Sequence, residues 1–322
     1  MEARKNIIIK GLVSIIVPVY NKEQYIEECC YELGKQEYKN YEIIIVDDGS
    51  TDESPALCDS MAEKYTSIRV FHTTNHGVSA ARNYGIREAH GEWLMFVDVD
   101  DFPMPNMISS LIGDDIDLAV CNWMSEDHIP CSKRFRSEVE YCSMRDDDEY
   151  LLCTPDFFKT IWNKLFKTEI VHKNGLHYEE ELCHAEDALF AIDYFCSLEK
   201  DAKIKMVREP LYYHRLDVKG SLVTDRNIQR WTTSAEYWWK HIDKNSMSEA
   251  VKANMQIRSL QNEFMLCAMR KDYQGVKTLL KQKGNLINGL SLKHWPLIRR
   301  LFFATKNPMI IYMVNLIWCR MQ

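Results

Sequence analysis

Tyr41-Glu42-Ile43-Ile44-Ile45-Val46-Asp47-Asp48-Gly49-Ser50-Thr51-Asp52 is a nearly all-apolar run that breaks into an acidic turn. A strand apolar on both faces belongs inside a parallel sheet covered by helices on either side. Gly49 suits a turn that needs positive φ, and Asp52 or Ser54 is placed to cap a helix over 54–65. Upstream, residues 13–17 form a β-branched run ended by Pro18. Residues 23–35 then carry Ile26, Cys29, Cys30 and Leu33 at helical spacing, with Asn21 as the expected N-cap. Downstream, a strand over 68–72, a helix over 78–89 and a strand over 92–97 continue the alternation. This order predicts an α/β fold, a mostly parallel sheet joined by right-handed crossovers and flanked by helices. Ligands of such sheets bind beyond the carboxyl ends of the strands. The polar turns after Val17, Val46 and Val97 all fall there.

Beyond this core the pattern predicts a strand over 117–122, loops or a hairpin over 123–150 with acids at Asp146, Asp147 and Asp148, helices over 157–166 and 185–198, and a last strand over 203–207. From about residue 227 it reads as helical, with Trp231, Tyr237, Trp238 and Trp239 clustered. The 322 residues are 46% hydrophobic and 27% charged, which excludes a disordered chain. No run of about 18 apolar residues is present, which excludes a membrane-embedded one. A net charge of -7 argues against nucleic acid as a partner. Eleven cysteines without a C-x-x-C pair read as buried thiols in a reducing cytoplasm. The apolar run over 12–20, broken by Ser14 and Pro18, is no signal peptide. After Asp272 there is no acid but eight Lys or Arg residues. The basic, apolar segment 293–322 has two readings: helices packed on the catalytic domain, or a segment lying in the interface of an anionic membrane, peripheral on the inner face of the cell membrane.

Four segments carry chemistry. In Asp98-Val99-Asp100, residues i and i+2 point the same way, and two close carboxylates repel by roughly 4 kcal/mol at an effective dielectric near 20. A divalent cation relieves this, and oxygen-only donors favour Mg2+ or Mn2+ over zinc. An acidic helix cap is the competing reading. Asp48 stands where it can accept hydrogen bonds from a ligand N–H, and the same turn can be a plain helix start. In Pro18-Val19-Tyr20-Asn21, Tyr20 can stack on a planar base or fill the core. In Gly77-Val78-Ser79-Ala80-Ala81-Arg82-Asn83 the small residues allow close approach, and Arg82 can pair with phosphate or sit solvated.

Together, in this order, the four segments resemble the inverting family-2 glycosyltransferases of the GT-A fold, over roughly residues 12–225. The resemblance implies a catalytic domain over 1–225, with a nucleotide-sugar half over 12–122 and an acceptor half over 123–225, followed by a helical region over 226–322. It places Pro18 and Tyr20 against the base, Asp48 as an acceptor from the base, Arg82 near the nucleotide, and Asp98 with Asp100 on an Mn2+ or Mg2+ ion, Asp100 most directly. It puts the general base in the E-D pair Glu186-Asp187, at Asp187, where a helix start favours the ionised form. N-capping by either acid is the alternative. Tyr212-Tyr213-His214-Arg215 with Ser221 resembles the family's late segment: Arg215 reaches the diphosphate, and His214 is a metal ligand or a diphosphate donor. Trp162-Asn163-Lys164-Leu165-Phe166 resembles its acceptor-side helix. The implied reaction is transfer of a sugar from a nucleotide-sugar, by family frequency a UDP-sugar, to a hydroxyl of a glycan or lipid-linked oligosaccharide during cell-surface polysaccharide assembly.

Three rivals remain at this level. A nucleotidyltransferase also uses paired acids on a parallel sheet, but its glycine-rich phosphate loop is missing after the first strand. A nicotinamide-dependent enzyme is disfavoured because no G-x-G-x-x-G follows that strand. A non-catalytic sugar-nucleotide-binding protein on the same fold is opposed by the intact Asp98, Asp100 and Asp187.

Overall fold

The computed structural model describes residues 7–126, 137–143, 160–182, 185–216, 232, 236–238, 249–289 and 307–312. The chain divides into two compact units, one of Met1–Asp147 with Pro155–Lys219, the other of Asp148–Thr154 with Gly220–Gln322. Expectations for Asp146 to Asp148, Ser221, Trp231, Trp239 and most of the basic tail lie outside the described residues.

Among the described residues the first unit is built on a nine-stranded sheet. Its first half consists of β1 (Ile9–Val19), β2 (Tyr41–Asp47), β3 (Ile68–His72) and β4 (Gly91–Phe96), connected by α1 (Glu23–Gly34), α2 (Ser54–Lys64) and α3 (Val78–Glu88). The four strands lie in the order β3-β2-β1-β4 and all pair in parallel. Alternation assigns each strand's two faces. Val13, Ile15, Val17 and Val19 join Ile43, Ile45, Trp93 and Met95 in one core with Ile26, Cys29 and Leu33 of α1 and Cys58 and Met61 of α2. The intervening residues face α3, whose Gly85 comes so close to β1 that a Cβ there would meet Ile16 Cγ2 at 2.4 Å. On this face Phe96 packs edge-on against Phe166, Tyr178 and Phe190.

The second half adds β5 (Phe102–Pro103), β6 (Leu118–Met124), β7 (Val139–Ser143), β8 (Lys164–Lys167) and β9 (Lys203–Tyr213), with α4 (Met107–Leu111), α5 (Thr168–Lys173) and α6 (Glu186–Cys196). The order continues from β4 as β8-β6-β9-β5, with β7 also on β9. Here, among the described residues, only β6 and β9 pair in parallel; β8 is antiparallel to both β4 and β6, and β5 and β7 are antiparallel to β9. The helix expected over 157–166 is corrected: Lys164–Lys167 is a strand, and residues 157–159 lie outside the described residues. Its apolar residues fit a strand because Leu165 and Phe166 are each buried on opposite faces, between β4 and β6. β7 does not close a hairpin with β6 but lies against the more distant β9.

In the second unit, α7 (Glu249–Met269) and α8 (Tyr273–Gly289) form a helical pair, turned at Lys271 with φ 56° and capped by Asp272, which accepts from the Gly275 N–H at 2.7 Å. Met255, Leu260, Phe264 and Val276 are buried there. Residues 308–312 are helical, with Met309 and Ile310 exposed. Among the described residues no helix is long and apolar enough to cross a membrane. The seven described cysteines are free, and burial pushes the thiols of Cys30, Cys58 and Cys121 up to about 12.

Candidate active site

The carboxyl ends of β1, β2 and β4 align, because Val19 pairs with Asp47 and Ile16 with Phe96. The loops leaving these ends are tied to one another. Asn21 does not cap α1; it stands at φ 51°, its N–H donates to Ser50 Oγ at 2.9 Å, and its side chain accepts from the Thr51 N–H at 2.8 Å. The cause is the partner loop, which satisfies the α1 terminus from outside. Asp52 accepts from the Glu23 N–H, while Glu23 accepts from the Glu53 N–H at 2.9 Å, so the two helix starts cap each other. Pro18 is buried at the end of β1, and Tyr20 beyond it is 46% exposed.

Asp48 is 3% exposed, and its carboxylate takes donors from its own protein: the His76 N–H at 2.9 Å, the Gly77 N–H at 2.7 Å and the Thr73 hydroxyl at 3.3 Å. It shapes the loop that enters α3. Gly77, at φ 94°, turns that loop into the helix.

Arg82 on α3 is the centre of the arrangement. Its Nη1 donates to Asp187 Oδ1 at 2.6 Å and Glu186 Oε1 at 3.3 Å, and its Nη2 to Asp98 Oδ1 at 3.0 Å. Only 4% of the side chain is exposed. Three carboxylates from two distant stretches of chain thus converge on one guanidinium, which they hold firmly charged against the cost of its burial. The guanidinium also lies 5.4 Å above the ring of Tyr178. Asn83, the next residue, fixes that ring's backbone: its amide donates to Tyr178 O at 2.8 Å, and its oxygen accepts from the Tyr178 N–H at 2.7 Å.

Glu186 and Asp187 occupy the first turn of α6, after Ala185 in the left-handed conformation at φ 62°. A non-glycine residue held there costs about 1–3 kcal/mol, and such strain gathers at working sites. Burial pushes the Asp187 carboxyl well above the ordinary carboxylate range, Arg82 pulls it back, and Glu186 and Asp98 push it further up.

After β4 the acids part company. Asp98 goes to Arg82, whereas Asp100 Oδ2 accepts from Lys22 Nζ at 2.8 Å. The repulsion expected of the pair is therefore relieved by two cations of the protein. Among the described residues no group of three His, Cys, Asp or Glu side chains is gathered as a ready metal cage. Two carboxylates nevertheless fit magnesium or manganese chemistry, which takes one or two protein oxygens and completes its shell with substrate phosphates. Lys22 marks where Asp100 already holds positive charge.

Asp101 is 2% exposed and gathers the end of β9: Tyr212 Oη donates to it at 3.1 Å, His214 Nδ1 lies 2.9 Å away, and the Arg215 N–H donates at 2.8 Å. Burial raises its carboxyl to about 6. The His214 ring stacks 5.4 Å from Trp162. The Arg215 guanidinium pairs with Glu28 at 2.9 Å and lies over Tyr25. So the structure brings Asp98, Asp187 and Arg82 into direct contact, sets Asp100, His214 and Arg215 around the same turn, and leaves Pro18, Tyr20 and Asp48 at the β1–β2 end. Sequence reading missed Lys22, Asn83, Asp101 and Tyr178 as members. Only Asp101 carried a signal, as the last acid of the run that begins at Asp98.

Residues 14–171 match the family described as glycosyl transferase family 2. EpsH of Bacillus subtilis (strain 168) is 33% identical over 216 residues, covering 65% of this chain and 62% of EpsH, so the chain spans about three-fifths of that relative's length. The solved structure of S. aureus TarS 1-349 in complex with UDP-GlcNAc shares the fold at a TM-score of 0.68 and 21% identity, over 96% of this chain and 92% of that one. The mannosyltransferase PcManGT from Pyrobaculum calidifontis, in complex with GDP-Man and Mn2+, shares it at a TM-score of 0.57 and 19% identity, over 95% of this chain and 87% of that one.

Proposed function

From a chain that belongs, through residues 14–171, to glycosyl transferase family 2, we propose a metal-assisted, inverting transfer of a sugar from a UDP-sugar to a hydroxyl of a glycan or lipid-linked oligosaccharide in cell-surface polysaccharide assembly. The observation that carries this reading is the Arg82 bridge from Asp98 to Asp187. It ties a diphosphate-side carboxylate to a candidate base across the carboxyl ends of the strands, where a parallel sheet receives its ligand. TarS and PcManGT, crystallised with a nucleotide-sugar, support the donor class, and the Mn2+ of the latter supports the cation.

In this reading the exposed Tyr20 ring receives the base, and Pro18 and the Asp48-held loop form the wall around it. Asp98 and Asp100 would hold Mn2+ or Mg2+, which when bound supplies positive charge to the departing diphosphate. Arg215 at the rim can exchange Glu28 for phosphate. Asp187 takes the acceptor hydroxyl's proton as that oxygen attacks the anomeric carbon from the face opposite the diphosphate, so the configuration inverts. Arg82 keeps the carboxylate aimed and ionisable. No covalent enzyme intermediate is required.

UDP release from a panel of UDP-sugars in the presence of Mn2+ tests the reaction class. Asp187→Asn should lower turnover about 10³-fold, in the range general bases contribute, and leave UDP affinity largely intact in a calorimetric titration. Unchanged turnover would remove the base assignment.

A further inference from the structure

We infer that Asp101 is a positioning residue: it holds the His214 ring by Nδ1, so that Nε2 is the nitrogen presented to a cation bound at the neighbouring acids. The inference rests on the proposed function for its ligand, though not for its ring geometry. Asp101 lies one residue past Asp100, and its N–H donates to Asp98 O at 2.9 Å, so it is part of the same turn. Its carboxylate faces three donors from a segment more than a hundred residues away. Oδ1 accepts from the Arg215 N–H, and Oδ2 from Tyr212 Oη and His214 Nδ1.

An ionised carboxylate can only accept, so the nitrogen that faces it carries the proton. The second ring nitrogen is then left with its lone pair whenever the imidazole is neutral. Metal-binding imidazoles are oriented this way, by a carboxylate on the far nitrogen, and loss of that partner costs 10–100-fold in metal affinity. The ring has little freedom to turn: Trp162 stacks on it at 5.4 Å and 15°, and Trp123 meets it edge-on at 6.0 Å. Tyr212 ties the same unit back to the turn, since its oxygen accepts from the Asp98 N–H at 3.3 Å while its hydrogen goes to Asp101. Tyr213, the residue before His214, pairs with Phe102, two residues past Asp100, so the ring stands against the turn that carries the acids.

Asp101→Asn separates positioning from support. The Arg215 backbone N–H demands an acceptor, so the amide oxygen takes the Oδ1 place and the NH2 group faces His214. That donor converts Nδ1 into an acceptor and moves the ring proton to Nε2, where it meets a cation. The experiment combines nitrogen-15 spectra of the His214 ring in the ligand-free full chain, at a pH where the ring is neutral, with calorimetric titration of UDP with and without Mn2+. Expected are Nδ1–H in the wild type and Nε2–H in Asp101→Asn. The Mn2+-dependent gain in UDP affinity should fall by about tenfold or more, with Mn2+-free affinity nearly unchanged and no added loss in a His214→Ala background. A wild-type ring protonated at Nε2 overturns the inference. So do losses from Asp101→Asn and His214→Ala that multiply, or an equal weakening of UDP with and without Mn2+, which would mark Asp101 as a fold anchor. The wild-type spectrum needs no variant and decides the ring geometry if Asp101→Asn does not fold. If the wild type binds no UDP, the nucleotide reading fails, and the spectrum still decides the part played by Asp101.

Discussion

The two halves of the sheet are built by different rules. From β3 to β1 each strand is paired in parallel with its sequence neighbour through one helix, and β4 joins the other side of β1, also in parallel. From β8 to β5 the neighbours come from far along the chain and mostly run antiparallel, as β4 does with β8 and β7 with β9. The first half supplies a rigid row of strand ends; the second supplies Asp187, Tyr212, His214 and Arg215, whose positions depend on long-range contacts. At the site polar bridges, Arg82 to Asp187, Asn83 to Tyr178 and Asp101 to His214, are laid over an apolar core in which Val97 and Val99 are buried with Trp162, Leu211 and Tyr212. The difference teaches that the apolar core holds the halves together while these few bridges set where the charged groups of the site lie.

The strongest way to break the comparison is Arg82→Met. It leaves Asp98, Glu186 and Asp187 facing one another without their cation. Removing one partner of a buried ion pair costs about 3–5 kcal/mol, and urea unfolding should show a loss of that order. If the loss is below 1 kcal/mol, the carboxylates have other counter-charges, and the halves are not joined there. A smaller effect, confined to the first half, is expected of Gly85→Ala. The added Cβ would meet Ile16 Cγ2 at 2.4 Å, and β1 cannot withdraw because it pairs on both sides. Overpacking of this kind costs about 1–3 kcal/mol. The same urea titration, followed by far-UV dichroism, measures it, and a neutral result would mean that α3 shifts freely over the strand.

The contrast also explains what the sequence could reveal. The strands of the first half were legible because burial on both faces writes an unbroken apolar run, as at Ile43 to Val46. The E-D pair at the start of α6 was legible because acids before an apolar helix are a local signal. Lys164–Lys167 reads as helix in sequence because four residues are too few to show a period, and the two strands that bury it lie about 45 and 70 residues upstream. Lys22 gave no sign of its bond to Asp100, 78 residues on. Asn21 reads as a cap because asparagine before a helix usually is one; Asp52 from the neighbouring turn takes that place. In each miss the deciding partner is remote in sequence, which propensity and spacing cannot register.

The smallest expected effect sharpens the first half alone. His72, at the end of β3, lies 2.9 Å from Asp47 Oδ2 and 3.2 Å from Asp59 Oδ1. The hydrogen bond to Asp47 raises its pKa above the ordinary 6.5, against the effect of partial burial, and the bond to Asp59 adds to it. A cationic ring favoured in the folded state stabilises the fold fully below pH 6.5, and that contribution disappears as pH rises through the raised folded value. With 41% of the side chain exposed, solvent screening keeps the contribution under about 1 kcal/mol. Urea midpoints of wild type and His72→Asn should therefore differ most at pH 6 and converge by about pH 9, the wild type being the more stable in acid. A gap that widens with pH would mean that the ring acts on Asp47 as a neutral N–H donor and that its charge adds nothing to the fold.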